Sequence, residues 1–373
     1  MNGRVSVRAL EITNFRNIAR AEFEIPADGI AVVGDNGHGK TNLLEALAYL
    51  ELLRSMRGAR DRDLIRFGAD AFHIAAVADG ARAARIGVGA DRAGMKRVSL
   101  DGTAQPRLND ALGAVPSVCF SPADVALVTA GPSERRRYLD IVLALTEPTY
   151  LAAIRRYRAA LTRRNAALRG TRRTRESVGA WEPALAEHGA VIVAARREWA
   201  VAFRDRFASL AAAVGEPLAM TMSYESAFCA SENIRDDLSA ALAATREQDA
   251  ARGATQAGPH RDDLKLALAA RDLRVTGSAG QHRTAAIALR LVEAETFRAR
   301  GGVQPVVLLD DPFAELDHGR AARVLTLLED STTHGVGQIV LCVPRADEIP
   351  AAFTRLERWR VAGGAFTRMA AAN

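Results

Sequence analysis

The chain has 373 residues, 49% of them hydrophobic and 25% charged, with a net charge of +6. That length holds one large domain or two ordinary ones. No run of about 18 uncharged apolar residues occurs, which excludes a membrane-spanning helix, and the isolated cysteines Cys119, Cys229 and Cys342 support neither a disulfide framework nor a metal site.

The opening MNGRVSVRAL carries no apolar signal core and reads as a strand, which fits a cytoplasmic protein. Ile30 to Val33 form a short apolar run, read as a buried strand. Beyond Lys40, the leucines Leu43, Leu44, Leu47 and Leu50 recur at helical spacing. Between them, GDNGHGKT at 34–41 matches G-x-x-x-x-G-K-[ST] in the strand–turn–helix setting that this pattern requires. Gly34, Gly37 and Gly39 permit a tight turn which, with Asp35, Asn36 and His38, aims amides at phosphate oxygens, and the helix N-terminus adds its dipole. Only three of the 50 basic residues are lysines, Lys40, Lys96 and Lys265. Lys40 keeps its identity because a compact ammonium settles between β- and γ-phosphates where a planar guanidinium does not. Thr41 is set to put its hydroxyl on Mg²⁺. ATP with Mg²⁺ is the expected ligand.

FHIAAVADG, ARIGVGA and KRVSLDGT read as further strands, with Asp101-Gly102 as a hairpin turn, giving a first lobe over residues 1–133. Residues 134–250 are rich in Ala, Arg and Leu at helical spacing and read as a compact helical arm, since no heptad run persists. Between Arg135 and Arg175 this arm carries Arg135, Arg136, Arg137, Arg155, Arg156, Arg158, Arg163, Arg164, Arg169, Arg172, Arg173 and Arg175, opposed within that stretch only by Asp140 and Glu147. Such an excess is an electrostatic footprint for a polyanion; a solvated helix face is the alternative. With few aromatics there, contact with phosphates is favoured over base stacking.

Residues 251–373 form the second lobe. In GSAGQHRTAAIALRLVEAE, the residues Ser278, Ala279, Gly280 and Gln281 open an amphipathic helix. A small-residue turn there offers amides and a hydroxyl to a γ-phosphate, or simply caps the helix. In VVLLDDPFAELD, a strand from Val306 to Leu309 ends in Asp310, whose carboxylate can hold Mg²⁺ through water. Asp311 follows, where a carboxylate could polarise an attacking water. A later strand, GQIVLCVP, leads to Arg345 with no histidine.

Ser278 to Gln281 resemble the S-G-G-Q signature of ABC-type ATPases, with Ala for the first Gly, and AELD at 314–317 resembles their D-loop. The resemblance implies an α/β fold: an ABC/SMC-type P-loop ATPase head, split in sequence, with the helical arm inserted. It also implies an ATP-dependent homodimer in which Ser278, Gly280 and Gln281 of one subunit reach the nucleotide of the other. The missing switch histidine, and Asp311 in place of a longer Glu, imply slow hydrolysis used for timing, as in a weak DNA-stimulated ATPase. ITNFRNI at 12–18, FSPADVALVTAGPSERRRYLD at 120–140, RRNAALR at 163–169 and GPHRDDL at 258–264, with LLDDPFAELD, resemble the RecF family over essentially the whole chain. Ala123 stands where that family usually has an acidic residue. The family implies an ATP-dependent DNA-binding protein of replication and recombinational repair. It would act on single-stranded, gapped or linear double-stranded DNA with RecR and RecO, loading RecA and supporting SOS induction. The competing classes are a transporter ATPase subunit, which would lack the arginine-rich insertion, and an SMC-like nuclease, which would need an added carboxylate cluster.

Overall fold

The computed structural model describes residues 3–170, 175–312, 316, 318–329 and 337–369. The chain divides into two compact units, 1–124 with 213–215 and 289–373, and 125–212 with 216–288. Among the described residues, the first unit carries two six-stranded sheets. One places Gly29–Val33 between Ile339–Val343 and Glu357–Ala362, with Val306–Asp310 and Ser117–Phe120 beyond Ile339–Val343, all parallel; Ala365–Arg368 closes the edge antiparallel. Gly29–Val33 and Ile339–Val343 are buried at every position, as central parallel strands covered on both faces are. The other sheet is antiparallel, and Ala71–Asp79 at its centre alternates buried Phe72, Ile74, Ala76 and Ala78 with more accessible neighbours. Asp101 and Gly102 both have positive φ, 48° and 80°, and close a two-residue hairpin between Lys96–Leu100 and Thr103–Ala104, the turn whose twist suits paired strands.

The helix Lys40–Leu52 is held in the core of this unit by an aromatic trio. Phe15, Tyr49 and Phe72 meet edge to face with centroids 5.3 to 6.3 Å apart, a geometry that adds to their burial. Glu51 on the same helix is buried and accepts hydrogen bonds from the Ser117 N–H and hydroxyl at 3.0 and 2.9 Å. Burial pushes its carboxyl well above the usual 4.5. An acid raised in the folded state costs stability as pH climbs past its unfolded value, because ionisation is harder inside than outside. Glu51→Gln keeps the acceptor and removes that ionisation. Its melting temperature is therefore expected to gain on wild type progressively as pH rises above about 4.5; a difference that stays constant with pH would assign Glu51 an ordinary titration.

The second unit contains the helices Pro132–Thr146, Pro148–Arg169, Ile234–Ala244 and Arg246–Arg252, most of the helix Glu182–Val214, and a three-stranded sheet. Its limits differ from the 134–250 arm expected from composition. Asp263–Leu268 pairs antiparallel with Met220–Glu225 along its whole length, and Arg135 forks onto Asp263 at 2.8 and 2.7 Å. Those two ties lie within the second unit, whose segment 216–288 also includes the Ser278–Gln281 turn. Both strands do alternate, with Met220, Met222 and Tyr224 and then Leu264, Leu266 and Leu268 buried, a period-two signal that a helical composition overshadowed.

The arginine excess also divides. Arg135 and Arg164 are buried, and so is Arg196 farther along the chain. Arg155, Arg156, Arg158, Arg163 and Arg169 are exposed. Arg172, Arg173 and the side chain of Arg175 lie outside the described residues. Part of the expected polyanion footprint is thus internal wiring, which charge counting cannot distinguish from surface. None of the described helices is long and apolar enough to cross a membrane.

Candidate nucleotide site

The carboxyl ends of Gly29–Val33, Val306–Asp310 and Ile339–Val343 come together in the first unit, where α/β sheets bind their ligands. The turn 34–39 leaves the first of these strands and Lys40 begins the helix. Gly34 runs so close to the last hairpin that a Cβ would sit 2.4 Å from the Val361 carbonyl oxygen, and Gly39 has φ 120°; neither position accepts a side chain. Helix Lys40–Leu52 starts with no side-chain cap and no acid in its first turn, so its N-terminal amides and dipole face the loop without an internal anion. Lys40 is 6% exposed, and its ammonium turns back onto the carbonyls of Gly34 and, at 3.0 Å, Asp35. Asp35, Asn36 and Gly37 are exposed at the tip and His38 is half-buried.

Thr41 and Asp310, 269 residues apart in sequence, meet at this point: the Thr41 hydroxyl donates to the Asp310 carboxylate, with oxygen separations of 3.0 and 3.1 Å. Burial raises the Asp310 carboxyl above its usual 3.8, and the Thr41 hydrogen bond and the Lys40 charge pull the other way. Both donors are hard oxygens, the ligand type that magnesium prefers, and Mg²⁺ sites typically use one or two protein oxygens with the remainder from phosphates and water. No cluster of three or more His, Cys, Asp or Glu able to hold a metal occurs among the described residues, so a cation here would depend on the nucleotide. Asp311 follows in a left-handed conformation, φ 46°, its N–H bonded to the Cys342 carbonyl at 2.9 Å. Of the D-loop string, Ala314, Glu315 and Asp317 lie outside the described residues.

In the second unit, Ser278 and Gln281 form a reciprocal cap at the start of helix Ala279–Gly301. The Gln281 N–H donates to the Ser278 hydroxyl oxygen at 3.3 Å, and the Gln281 side-chain oxygen accepts from the Ser278 N–H at 2.9 Å. This is a capping box with Gln at its third helical position. The capping role is therefore real here, and both residues stay near the surface. Gly280 lies in the first turn.

A family model described as the RecF/RecN/SMC N terminal domain matches residues 6–347. The DNA replication and repair protein RecF of Anaeromyxobacter dehalogenans strain 2CP-C is 37% identical over 319 residues, 83% of this chain and 85% of that protein. The chain belongs to the RecF family. The RecF protein of Roseiflexus castenholzii is 32% identical over 96% of this chain and 98% of its own. A solved structure of the recombination mediator protein RecF with ATP, in the RecFOR pathway, superposes with a TM-score of 0.87 at 27% identity over 98% of each chain. The Smc head of Pyrococcus furiosus shares the fold, with a TM-score of 0.58 at 17% identity over 98% of this chain and 96% of that one. The fold is thus an ABC/SMC-type ATPase head with added helical content, and RecF membership sets aside the transporter-subunit reading.

The RecF strings acquire physical roles. In ITNFRNI, Ile12, Phe15 and Ile18 are core residues, while Asn14 and Arg16 take positive φ. Arg16 forks onto the buried Glu45 of the helix Lys40–Leu52 at 2.9 and 3.0 Å. Asn17 accepts from Asn42 at 2.8 Å and donates to the Gly37 carbonyl at 3.4 Å. Next to Asn17, the Gly364 N–H donates to the His38 carbonyl at 2.9 Å and the Gly363 N–H to His38 Nδ1 at 3.1 Å. Asn17 and the Gly363-Gly364 turn went unnoticed in the sequence as partners of the nucleotide loop. Neither is a chemical motif, and only contact reveals them. In FSPAD, Asp124 accepts from the Ser121 N–H at 2.7 Å and from Arg290 at 2.6 Å, so the acid beside Ala123 does the anchoring.

Proposed function

We propose that this RecF-family chain is an ATP-switched DNA-binding mediator of recombinational repair. The observation that carries the reading is the Thr41–Asp310 pair beside an uncapped helix N-terminus and a buried lysine, in a family with an ATP-bound structure superposing over nearly the whole chain. Gly34 to Thr41 would hold the ATP phosphates, and Thr41 and Asp310 the Mg²⁺. The metal's contribution is to neutralise charge on the β- and γ-phosphates. Asp311 is the candidate to orient the attacking water. Ser278, Gly280 and Gln281 are the candidates to meet the γ-phosphate held by a second copy, making the dimer ATP-dependent. Exposed arginines such as Arg155 and Arg156 supply affinity for DNA phosphates, whether in single strands, gaps or linear duplex, without sequence choice. RecO and RecR are the partners this membership points to, with RecA loading and SOS induction downstream and the cytoplasm as the location.

The test is dimer fraction against ATP concentration. ATP stabilises a dimer only through contacts absent in the monomer. Ser278→Arg puts a large cation where the partner's phosphate docks. It is expected to remain monomeric while still binding ATP, moving the dimerisation midpoint by at least about tenfold. Its lost cap costs only about 1 kcal/mol, and retained ATP binding verifies that it is folded. Asp311→Asn is expected to do the reverse, accumulating dimers that persist. A Ser278→Arg protein that dimerises like wild type would place the ATP response within one subunit.

A further inference from the structure

A pocket of about 280 Å³ opens in the second unit between Pro132–Thr146, Pro148–Arg169 and the helix that carries Arg196. Its charge is lopsided. Arg136, Arg137, Arg158 and Arg196 line it, against the single carboxylate of Asp140. That carboxylate is already committed, to Arg158 at 2.6 Å, Arg196 at 2.7 Å and the Tyr150 hydroxyl at 2.5 Å. Arg196 is further satisfied by the Pro259 carbonyl at 2.8 Å.

The other two guanidinium groups are less well matched. Arg136 donates to a neutral partner, the Asp262 carbonyl, at 2.7 Å. Arg137 lies 4.0 Å from Glu134, with 39% of its side chain exposed. Burial, and then the charge of Arg196, hold Arg136 below its ordinary range, with Asp263, Asp262 and Asp140 pulling the other way. The neighbouring His260 does not add to the excess. Its Nε2 faces the Thr255 carbonyl at 2.9 Å and must carry the proton, so Nδ1 accepts from the Tyr157 hydroxyl at 2.7 Å. Burial lowers the ring's basicity and keeps it neutral. Gly258 makes this arrangement possible, since a Cβ there would sit 2.4 Å from the Tyr157 hydroxyl oxygen.

We propose that this pocket holds a phosphate group of a nucleic-acid strand. Guanidinium forks match phosphate oxygens in geometry as well as charge. Ile154, Leu161 and the Tyr157 ring give the same pocket apolar wall, which suits a sugar attached to the phosphate. Helix Pro148–Arg169 continues with exposed Arg155, Arg156, Arg163 and Arg169, so positive charge extends beyond the pocket, as an extended polyanion requires and a free ion does not. The proposal rests on the DNA-binding reading above and locates one contact for it.

The experiment measures binding of the full chain to a fluorescent gapped duplex whose strands end in either 5′-phosphate or 5′-hydroxyl. Arg137→Gln is expected to weaken binding about tenfold and to lower the salt slope by about one. Arg204→Gln removes an exposed arginine charge from the same unit but outside the pocket, and is expected to change affinity by less than about twofold. A preference for 5′-phosphate that vanishes in Arg137→Gln assigns a strand end to the pocket; equal loss on both duplexes assigns an internal phosphate. Either supports the proposal. Arg137→Lys, which keeps the charge but not the fork, should fall between wild type and Arg137→Gln and guards against a glutamine variant that folds poorly. Unchanged DNA binding in Arg137→Gln, or equal weakening by Arg204→Gln, overturns the pocket and spares the DNA-binding reading. If wild type binds neither duplex, that reading itself fails. A rise in melting temperature with inorganic phosphate that Arg137→Gln abolishes would then make this a free-phosphate site and overturn the nucleic-acid source.

Discussion

Lys40→Arg is expected to lower ATP affinity by roughly 10² to 10⁴-fold while leaving the fold intact. Lys40 is almost fully buried at the start of its helix, and its ammonium already occupies the space between two loop carbonyls. An incoming polyphosphate would take over those contacts, with the small ammonium only swinging across. A guanidinium is wider, planar and built for a two-pronged acceptor, and Asn17 and the Gly363-Gly364 turn leave this loop little freedom to widen. Two charge-assisted hydrogen bonds at about 1.5 to 3 kcal/mol each account for the range. Titration with a fluorescent ATP analogue, alongside circular-dichroism melting, gives the answer; affinity within about twofold of wild type would remove Lys40 from the phosphate site.

The second large effect concerns stability. Arg164 is completely buried. It donates to Asp249 at 2.7 Å, Thr255 at 2.9 Å, Glu182 at 3.0 Å and the Leu242 carbonyl at 3.3 Å. Arg164→Leu leaves the Asp249 carboxylate buried without its cation, and such losses run to about 3–5 kcal/mol. Arg156→Leu, on the exposed face of the same helix, should stay within about 0.5 kcal/mol. Urea unfolding compares the two directly, and similar midpoints would contradict the buried network. Burial alone would push Glu182 up, but hydrogen bonds from Arg246 and Arg164 outweigh it and hold its carboxyl below the usual 4.5. A carboxylate depressed in this way contributes stability above its unfolded value and loses it as pH falls through the folded one. The deficit of Arg164→Leu should therefore narrow below about pH 4.5.

The same network bears on how DNA contacts are sought. Reversing Arg135, Arg136 and Arg137 together would appear to test a basic surface. Arg135, however, forks onto Asp263 and donates to the Ala130 carbonyl at 3.1 Å, so that triple variant would report on folding first.

The local strings were legible in the sequence because each encodes its own geometry. Glycines at 34, 37 and 39, a lone lysine, and an apolar strand ending in two aspartates announce themselves within a dozen residues. The antiparallel hairpin at Asp101-Gly102 did so too. What the sequence concealed depends on partners far away. Arg135 and Arg156 are the same residue type on neighbouring helices, and only the strand Asp263–Leu268, more than a hundred positions on, makes one structural and leaves the other at the surface. Asn17 looked like one polar residue of a family string until Asn42 and Gly37 met it.

The left-handed backbone at Asp311 bears on which amino acids that position can accept. Outside glycine, αL backbone is disfavoured by about 1–2 kcal/mol, and Asn and Asp tolerate it best because their short side chains hydrogen-bond locally. Substitution there is therefore filtered by torsion as well as by charge: a glutamate keeps the carboxylate but is less at home in this conformation. The same filter makes asparagine the cleanest replacement, since it removes the charge in a residue at home in this conformation. Alanine would change the charge and the backbone preference together, and any effect it produced on ATP turnover would have two causes.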